Sequence, residues 1–201
     1  MKLAIMQPYL FPWIGYFQLI HSADRFVVYD DVSYRKGSWI NRNRVLVGGR
    51  ESLFTLPMQG ASPNKPIYEV GVGDMERWGK RFLKTLSQEY RKAPHFAEVH
   101  ALVSGVLGFE GDNLSDLLRH GIEVVCDHLG VATEIVPTSR SYGNEQLSGQ
   151  DRVLDICERE GADVYINAIG GRSLYEPEDF RKLRPETCPR TEMQSFMLVF
   201  T

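Results

Sequence analysis

The chain has 201 residues, 43% of them hydrophobic and 24% charged, with a formal net charge of −3. That balance supports a proper core and excludes wholesale disorder, and its slight acidity argues against a nucleic-acid-binding protein, whose footprint would be basic. No apolar run approaches the roughly 20 residues needed to cross a bilayer, and the opening MKLAIMQPYLF lacks the long apolar region and cleavage site of a secretory signal. The cysteines Cys126, Cys157 and Cys188 are odd in number, far apart and without metal-ligand spacing. A disulfide framework and a zinc site are therefore not expected, no metal is assigned, and a reducing cytoplasm is the expected compartment.

In chain order, Lys2 to Met6 reads as a buried strand, Trp13 to Ser22 as a helix and Phe26 to Tyr29 as a second strand. Strand, helix and strand within about 30 residues is the pattern of a parallel βαβ unit. Trp39 to Val47 and Ser52 to Leu56 read as strands around a Gly48-Gly49 turn, and Ile67 to Val72 alternates like another strand. Helices are expected at about 76–90, 96–107 and 113–129, the last stopped by Gly130. A strand in VATEIVPTSRS, a helix over 150–160 and a strand over 162–167 follow. The pattern predicts a single α/β domain over 1–201, a Rossmann-like, mostly parallel sheet with a helical annex at about 76–130. Ligands of such sheets sit at the carboxyl ends of strands.

Loops after predicted strands carry the chemistry-bearing residues. Gln7, Tyr9, Trp13, Gly15, Tyr16 and Gln18 crowd the first strand-to-helix turn. The W-I-G-Y at 13–16 occupies the place of H-I-G-H in the nucleotidylyltransferase fold, where glycine lets a nucleotide approach the backbone; here both histidine positions are aromatic. Packing of the helix onto the sheet explains the same residues. Asp30 and Asp31 end the second strand as candidate general bases or metal ligands; the structural alternative is that Asp30 caps a turn and Asp31 pairs with a nearby Arg or Lys. The segment 34–44 carries Lys36, Trp39, Asn41, Arg42, Asn43 and Arg44, in which guanidinium forks suit phosphate or carboxylate and amides suit sugars. A solvated basic edge strand is the alternative. Asn167, Gly170, Gly171, Arg172 and Tyr175 follow the last strand, and the double glycine can turn backbone amides toward an anion. Among five histidines, His95 is the candidate for acid–base work.

MQPYLFPWIGYFQLI, YDDVSYRKGSWINRNR and YINAIGGRSLY together resemble the WbqC-like protein family, over nearly the whole chain from Lys2 to about Phe180. The positions recurring in that family fall here on Gln7, Tyr9, Gly15, Tyr16, Gln18, Asp30, Asp31, Lys36, Trp39, Asn41, Arg42, Asn43, Arg44, Gly170 and Gly171. The resemblance implies an enzyme of O-antigen or surface-glycan biosynthesis that decorates a nucleotide-linked amino sugar. The implied chemistry is transfer of an acyl or aminoacyl group, such as glycyl, from a carrier-protein or coenzyme A thioester to the sugar amine. The expected partners are the nucleotide-linked amino sugar and an acyl carrier protein whose phosphopantetheine carries the donor, with no tightly bound cofactor, no nucleic acid and no membrane insertion.

In that scheme Asp30, Asp31 or His95 is the general base. Gln7, Asn41, Asn43 or the amides at Gly170-Gly171 hold the oxyanion, and Arg42, Arg44 and Arg172 clamp phosphate. Trp13, Tyr16 or Trp39 stacks on a base or sugar. The competing expectations are a nucleotidylyl- or adenylyl-transferase using a nucleoside triphosphate with Mg²⁺, and a non-catalytic nucleotide-sugar binding module.

Overall fold

A computed structural model describes residues 1–168. In chain order its elements are β1 (Lys2–Met6), α1 (Ile14–Ser22), β2 (Arg25–Val28), β3 (Arg42–Val47), β4 (Arg50–Thr55), β5 (Met58–Gln59), a 3-10 turn (Ile67–Glu69), β6 (Gly71–Val72), α2 (Met75–Tyr90), α3 (Phe96–Leu107), α4 (Leu114–Leu129), β7 (Glu134–Val136), a second 3-10 turn (Ser139–Tyr142), α5 (Gly149–Arg159) and β8 (Val164–Ile166). They form two compact units. Among the described residues, one takes Met1–Met6, Trp13–Asp31 and 131–168; the other takes Gln7–Pro12 and Val32–Gly130.

The first unit is a parallel sheet in the order β7-β2-β1-β8. The fold is α/β and Rossmann-like, as the pattern predicts. Strand alternation divides its side chains between two helix-covered faces. Leu3, Ile5 and Val27 point one way and share a cluster with Val153, Ile156 and Cys157 of α5. Phe26 points the other way and meets Tyr16 of α1 with ring centroids 5.6 Å apart. The order reverses at β1, since β2 and then β7 build outward on one side and β8 returns to the other. In sheets of this kind ligands bind outside the carboxyl ends of the strands at that reversal.

The second unit is built around a β3–β4 hairpin and helices α2 to α4. Gly48 and Gly49 both adopt positive φ, +57° and +76°, as a two-residue hairpin turn of the right twist requires. Phe54 of β4 packs on Phe82 of α2 at 4.4 Å between centroids, and Trp78 stacks on Phe82 at 5.1 Å. Leu10, Ile40 and Leu56 close the deeper core with Leu114, Leu117 and Leu118 of α4. The helices predicted at 76–130 are therefore part of a larger body that begins at Val32 and also takes in residues 7–12.

One predicted element is different. Residues 67–72 form a 3-10 turn followed by the two-residue β6 instead of a continuous strand. Ile67 and Val70 are both fully buried, and residues three apart eclipse on a 3-10 turn. The spacing that resembles strand alternation is thus met by a tighter winding.

Asn113 caps α4, accepting from the Asp116 amide at 3.2 Å while its Nδ2 donates to the Tyr68 carbonyl at 2.6 Å. Asn113→Ala is expected to lower stability by about 1–2 kcal/mol in urea unfolding. Cys126 and Cys157 lie on apolar helix faces as expected, and burial pushes their thiols up to about 11 and about 12. The unfolded chain releases the Cys157 proton near the ordinary thiol value of 9.0, whereas the folded chain holds it to about 12. Stability therefore falls as pH rises through that window. The decline in urea midpoint between pH 8.5 and 10.5 is expected to be smaller in Cys157→Ala than in the parent.

Candidate functional site

The carboxyl edge of the sheet in the first unit gathers a buried polar cluster. Asp30 and Asp31 follow β2, Thr138 and Ser139 follow β7, and Asn167 follows β8. Asp30, only 1% exposed, accepts through Oδ1 from the Thr138 hydroxyl at 2.7 Å and from the Ser139 amide at 3.2 Å. The Ser139 hydroxyl donates to Asp31 Oδ1 and accepts from the Asp30 amide at 3.2 Å. Arg152 of α5 donates through Nη2 to Asp31 Oδ2, and this pair is almost fully removed from solvent. Arg152 Nε donates to Asn144 Oδ1 at 2.9 Å, and its guanidinium lies over the Tyr29 ring at 5.3 Å. Asn144 Nδ2 in turn donates to Asp155 at 2.6 Å. Around the same 3-10 turn, the Tyr142 hydroxyl donates to Glu160 at 2.6 Å; burial first, then that bond, pushes the phenol well above the usual tyrosine range.

The two aspartates thus have different surroundings. Asp31 is paired with Arg152 and accepts from the Ser139 hydroxyl, the arrangement that the structural alternative for this residue describes. Asp30 meets neutral donors from Thr138 and Ser139. Thr138, Ser139, Asn144 and Arg152, all members of the cluster, stand outside the predicted site residues. For Arg152 a signal exists in the sequence. It falls on the buried stripe of α5 with Val153, Ile156 and Cys157, and a charged residue there needs a buried partner. The hydroxyls of Thr138 and Ser139 are engaged with the aspartates.

Trp13 and Gly15 open α1. Trp13 stays 56% exposed, and a Cβ at Gly15 would run into its indole. The glycine is therefore needed for the indole to lie over the first turn. Tyr16 is 3% exposed and packs on Phe17 and Phe26, so its ring cannot be stacked by a base; it belongs to the core. Gln18 lies on the exposed face of α1.

The remaining described candidates belong to the second unit. The Tyr9 hydroxyl is 3.4 Å from Gln7 Oε1, and burial raises its phenol against the opposing effect of Arg35. Asn41 precedes β3 and is buried, accepting from the Tyr34 hydroxyl at 3.1 Å and donating to the Leu56 carbonyl at 3.3 Å. Asn43 Nδ2 donates to the carbonyls of Leu10 at 3.1 Å and Phe11 at 2.7 Å. Both amides fasten backbone, Asn43 through both of its N–H groups and Asn41 through one. Phe11 has φ of +45°, unfavourable for a bulky residue, and Asn43 holds that turn. Trp39, Arg42 and Arg44 come together, and Lys36 is exposed nearby in sequence. His95 stands exposed before α3, its Nδ1 3.5 Å from Glu98. Gly170, Gly171, Arg172 and Tyr175 lie outside the described residues. No three His, Cys, Asp or Glu side chains among the described residues gather as metal ligands, and no helix there is long and apolar enough to cross a membrane.

The model of the WbqC-like protein family matches residues 7–186. The chain belongs to the WbqC-like protein family. An uncharacterized protein of Mycobacterium tuberculosis, Rv1507c, is 31% identical over 184 residues, covering 90% of this chain and 78% of that protein. No solved structure matches the chain.

Breaking the buried pair with Asp31→Asn or Arg152→Met is expected to cost about 3–5 kcal/mol each, because either change strands a charge. The double variant is expected to cost less than the sum, and urea unfolding of the four-membered cycle measures the difference.

Proposed function

We propose that this WbqC-like protein is a transferase that modifies a nucleotide-linked amino sugar in O-antigen or surface-glycan biosynthesis. It moves an acyl or aminoacyl group, such as glycyl, from a carrier-protein or coenzyme A thioester to the sugar nitrogen. The observation that carries the reading is the unequal pair of carboxylates at the carboxyl edge of a Rossmann-like sheet. One carboxylate is fixed by a guanidinium; its neighbour is held by hydroxyl and amide donors. Attack on a thioester requires the sugar ammonium to lose a proton. The ammonium gives one proton to solvent; as the amine attacks, the new C–N bond forms, Asp30 takes the second nitrogen proton, and the C–S bond breaks with that proton passed to the departing thiolate. Asp31 and Arg152 hold the backbone of residues 30–31 in place. What the resemblance to the WbqC-like family implies supports the substrate class.

The test is incubation with UDP- or dTDP-linked amino sugars and acyl or glycyl thioesters of coenzyme A and phosphopantetheine, read by mass spectrometry. A product heavier by one acyl group supports the proposal. Asp30→Asn keeps an oxygen to accept from Thr138 and Ser139, so it is expected to retain the fold while losing about 10²–10⁴-fold in rate. A fully active Asp30→Asn enzyme would remove Asp30 as the base. Release of pyrophosphate from a nucleoside triphosphate with Mg²⁺ would instead indicate nucleotidylyl transfer. Ligand binding without turnover in any pairing would indicate a binding module.

A further inference from the structure

The segment 35–44 of the second unit holds more positive charge than its surroundings balance. Arg35, Lys36, Arg42 and Arg44 lie within ten residues of a chain whose net charge is −3. Arg44 is paired with Glu51 at 3.2 Å, and both partners are largely exposed, so the pair is weak. Arg35 and Lys36 are exposed and take part in no salt bridge among the described residues. Arg42 is more telling. Its Nη2 donates to the Gly37 carbonyl, but its Nε is buried with no acceptor. A guanidinium with a covered, unanswered N–H is under-satisfied, and its remaining N–H groups keep the charge and donors that suit a phosphate.

An aromatic ring stands at the same place. Trp39 has Arg42 and Arg44 at 5.7 and 5.3 Å from its ring, yet keeps 43% of its surface in solvent. The cation–π contacts leave part of the indole open, and a planar ring bearing phosphate fits both that open surface and the neighbouring cations. Asn41 and Asn43, fastened to backbone on either side of Arg42, fix the loop so that little ordering is needed on binding.

We propose that Trp39, Arg42, Lys36 and Arg35 form a subsite for a nucleoside diphosphate, the base lying on the indole and the diphosphate on the cations. The proposal rests on the nucleotide-sugar reading above for the class of ligand, and the subsite itself lies wholly within the second unit. Coenzyme A also contains a nucleoside diphosphate, so both substrate classes present the required chemistry.

Equilibrium titration with UDP, ADP, coenzyme A and inorganic pyrophosphate, followed by tryptophan fluorescence and by calorimetry, tests it. UDP or ADP is expected to bind saturably and more tightly than pyrophosphate. Trp39→Phe is expected to remove the fluorescence response and weaken nucleotide at least several-fold while leaving pyrophosphate unchanged. Arg42→Lys, and Arg35→Ala with Lys36→Ala, are expected to weaken all four ligands about tenfold or more. Lys84→Ala, on the exposed side of α2, is expected to change none. The exposed positions 35, 36 and 39 keep the test valid should Arg42→Lys disturb the loop. Tighter binding of UDP than coenzyme A assigns the subsite to the nucleotide sugar, and the reverse order assigns it to the donor. Unchanged nucleotide affinity in the Trp39 and Arg35/Lys36 variants overturns the inference even if acyl transfer is confirmed. Lost affinity in those variants sustains it even if no acyl transfer is found.

Discussion

Asp31 and Arg152 place opposite charges inside the sheet unit, where each would be costly alone. The pair is tolerable because every side of the guanidinium is occupied: the Asp31 carboxylate and carbonyl, the Asn144 oxygen and the Tyr29 ring. Three pieces of chain distant in sequence depend on it: the end of β2, the turn after β7 and the first turns of α5. Ser139 extends the same set of contacts to Asp30. A hydrophobic replacement could supply comparable stability. It could not specify which residue of β2 faces which residue of the turn, and that register presents Asp30 at the edge of the sheet.

Much of the framework was legible because local signals agreed. Lys2–Met6 and Phe96–Leu107 coincide with their predicted ranges, and α1, β2, α2, α4 and α5 differ by a residue or so at an end. Asn113 before α4 and Gly130 after it, the latter at φ +67°, are boundary residues with a physical cause. The 67–72 segment was misread because a buried residue every third position and a strand's alternation overlap over six residues. Trp39 to Asn41 lie outside β3 for a different reason: the chain turns there, the Trp39 carbonyl accepting from the Leu10 amide at 3.3 Å, a long-range bond that a periodicity cannot reveal.

The candidate site was legible in composition and obscure in role. Tyr16, Asn41 and Asn43 have side chains a ligand pocket would use, and the fold employs them as core and fasteners. Their bonds are long-range in sequence: Asn43 reaches back more than thirty residues to Leu10 and Phe11. Arg152 is the converse case, a charged residue that looks like surface until the stripe on which it sits is noticed. Side chains with hydrogen-bonding tips serve backbone and ligand by the same chemistry, so only the arrangement of carbonyls around them separates the two uses.

The order in which the sheet is threaded has a consequence for biosynthesis. β2 and β7 are hydrogen-bonded neighbours, yet the whole of β3 through α4 is translated between them. Until β7 and β8 emerge, the nascent chain offers β1 and β2 as a parallel pair with both outer edges unsatisfied, the form most prone to mispairing with other chains. Residues 32–130 meanwhile have their own core to condense around, with Leu10 already supplied from upstream. The inserted unit can therefore condense first, and the sheet bearing the aspartates is completed last, when β8 follows Arg152 out.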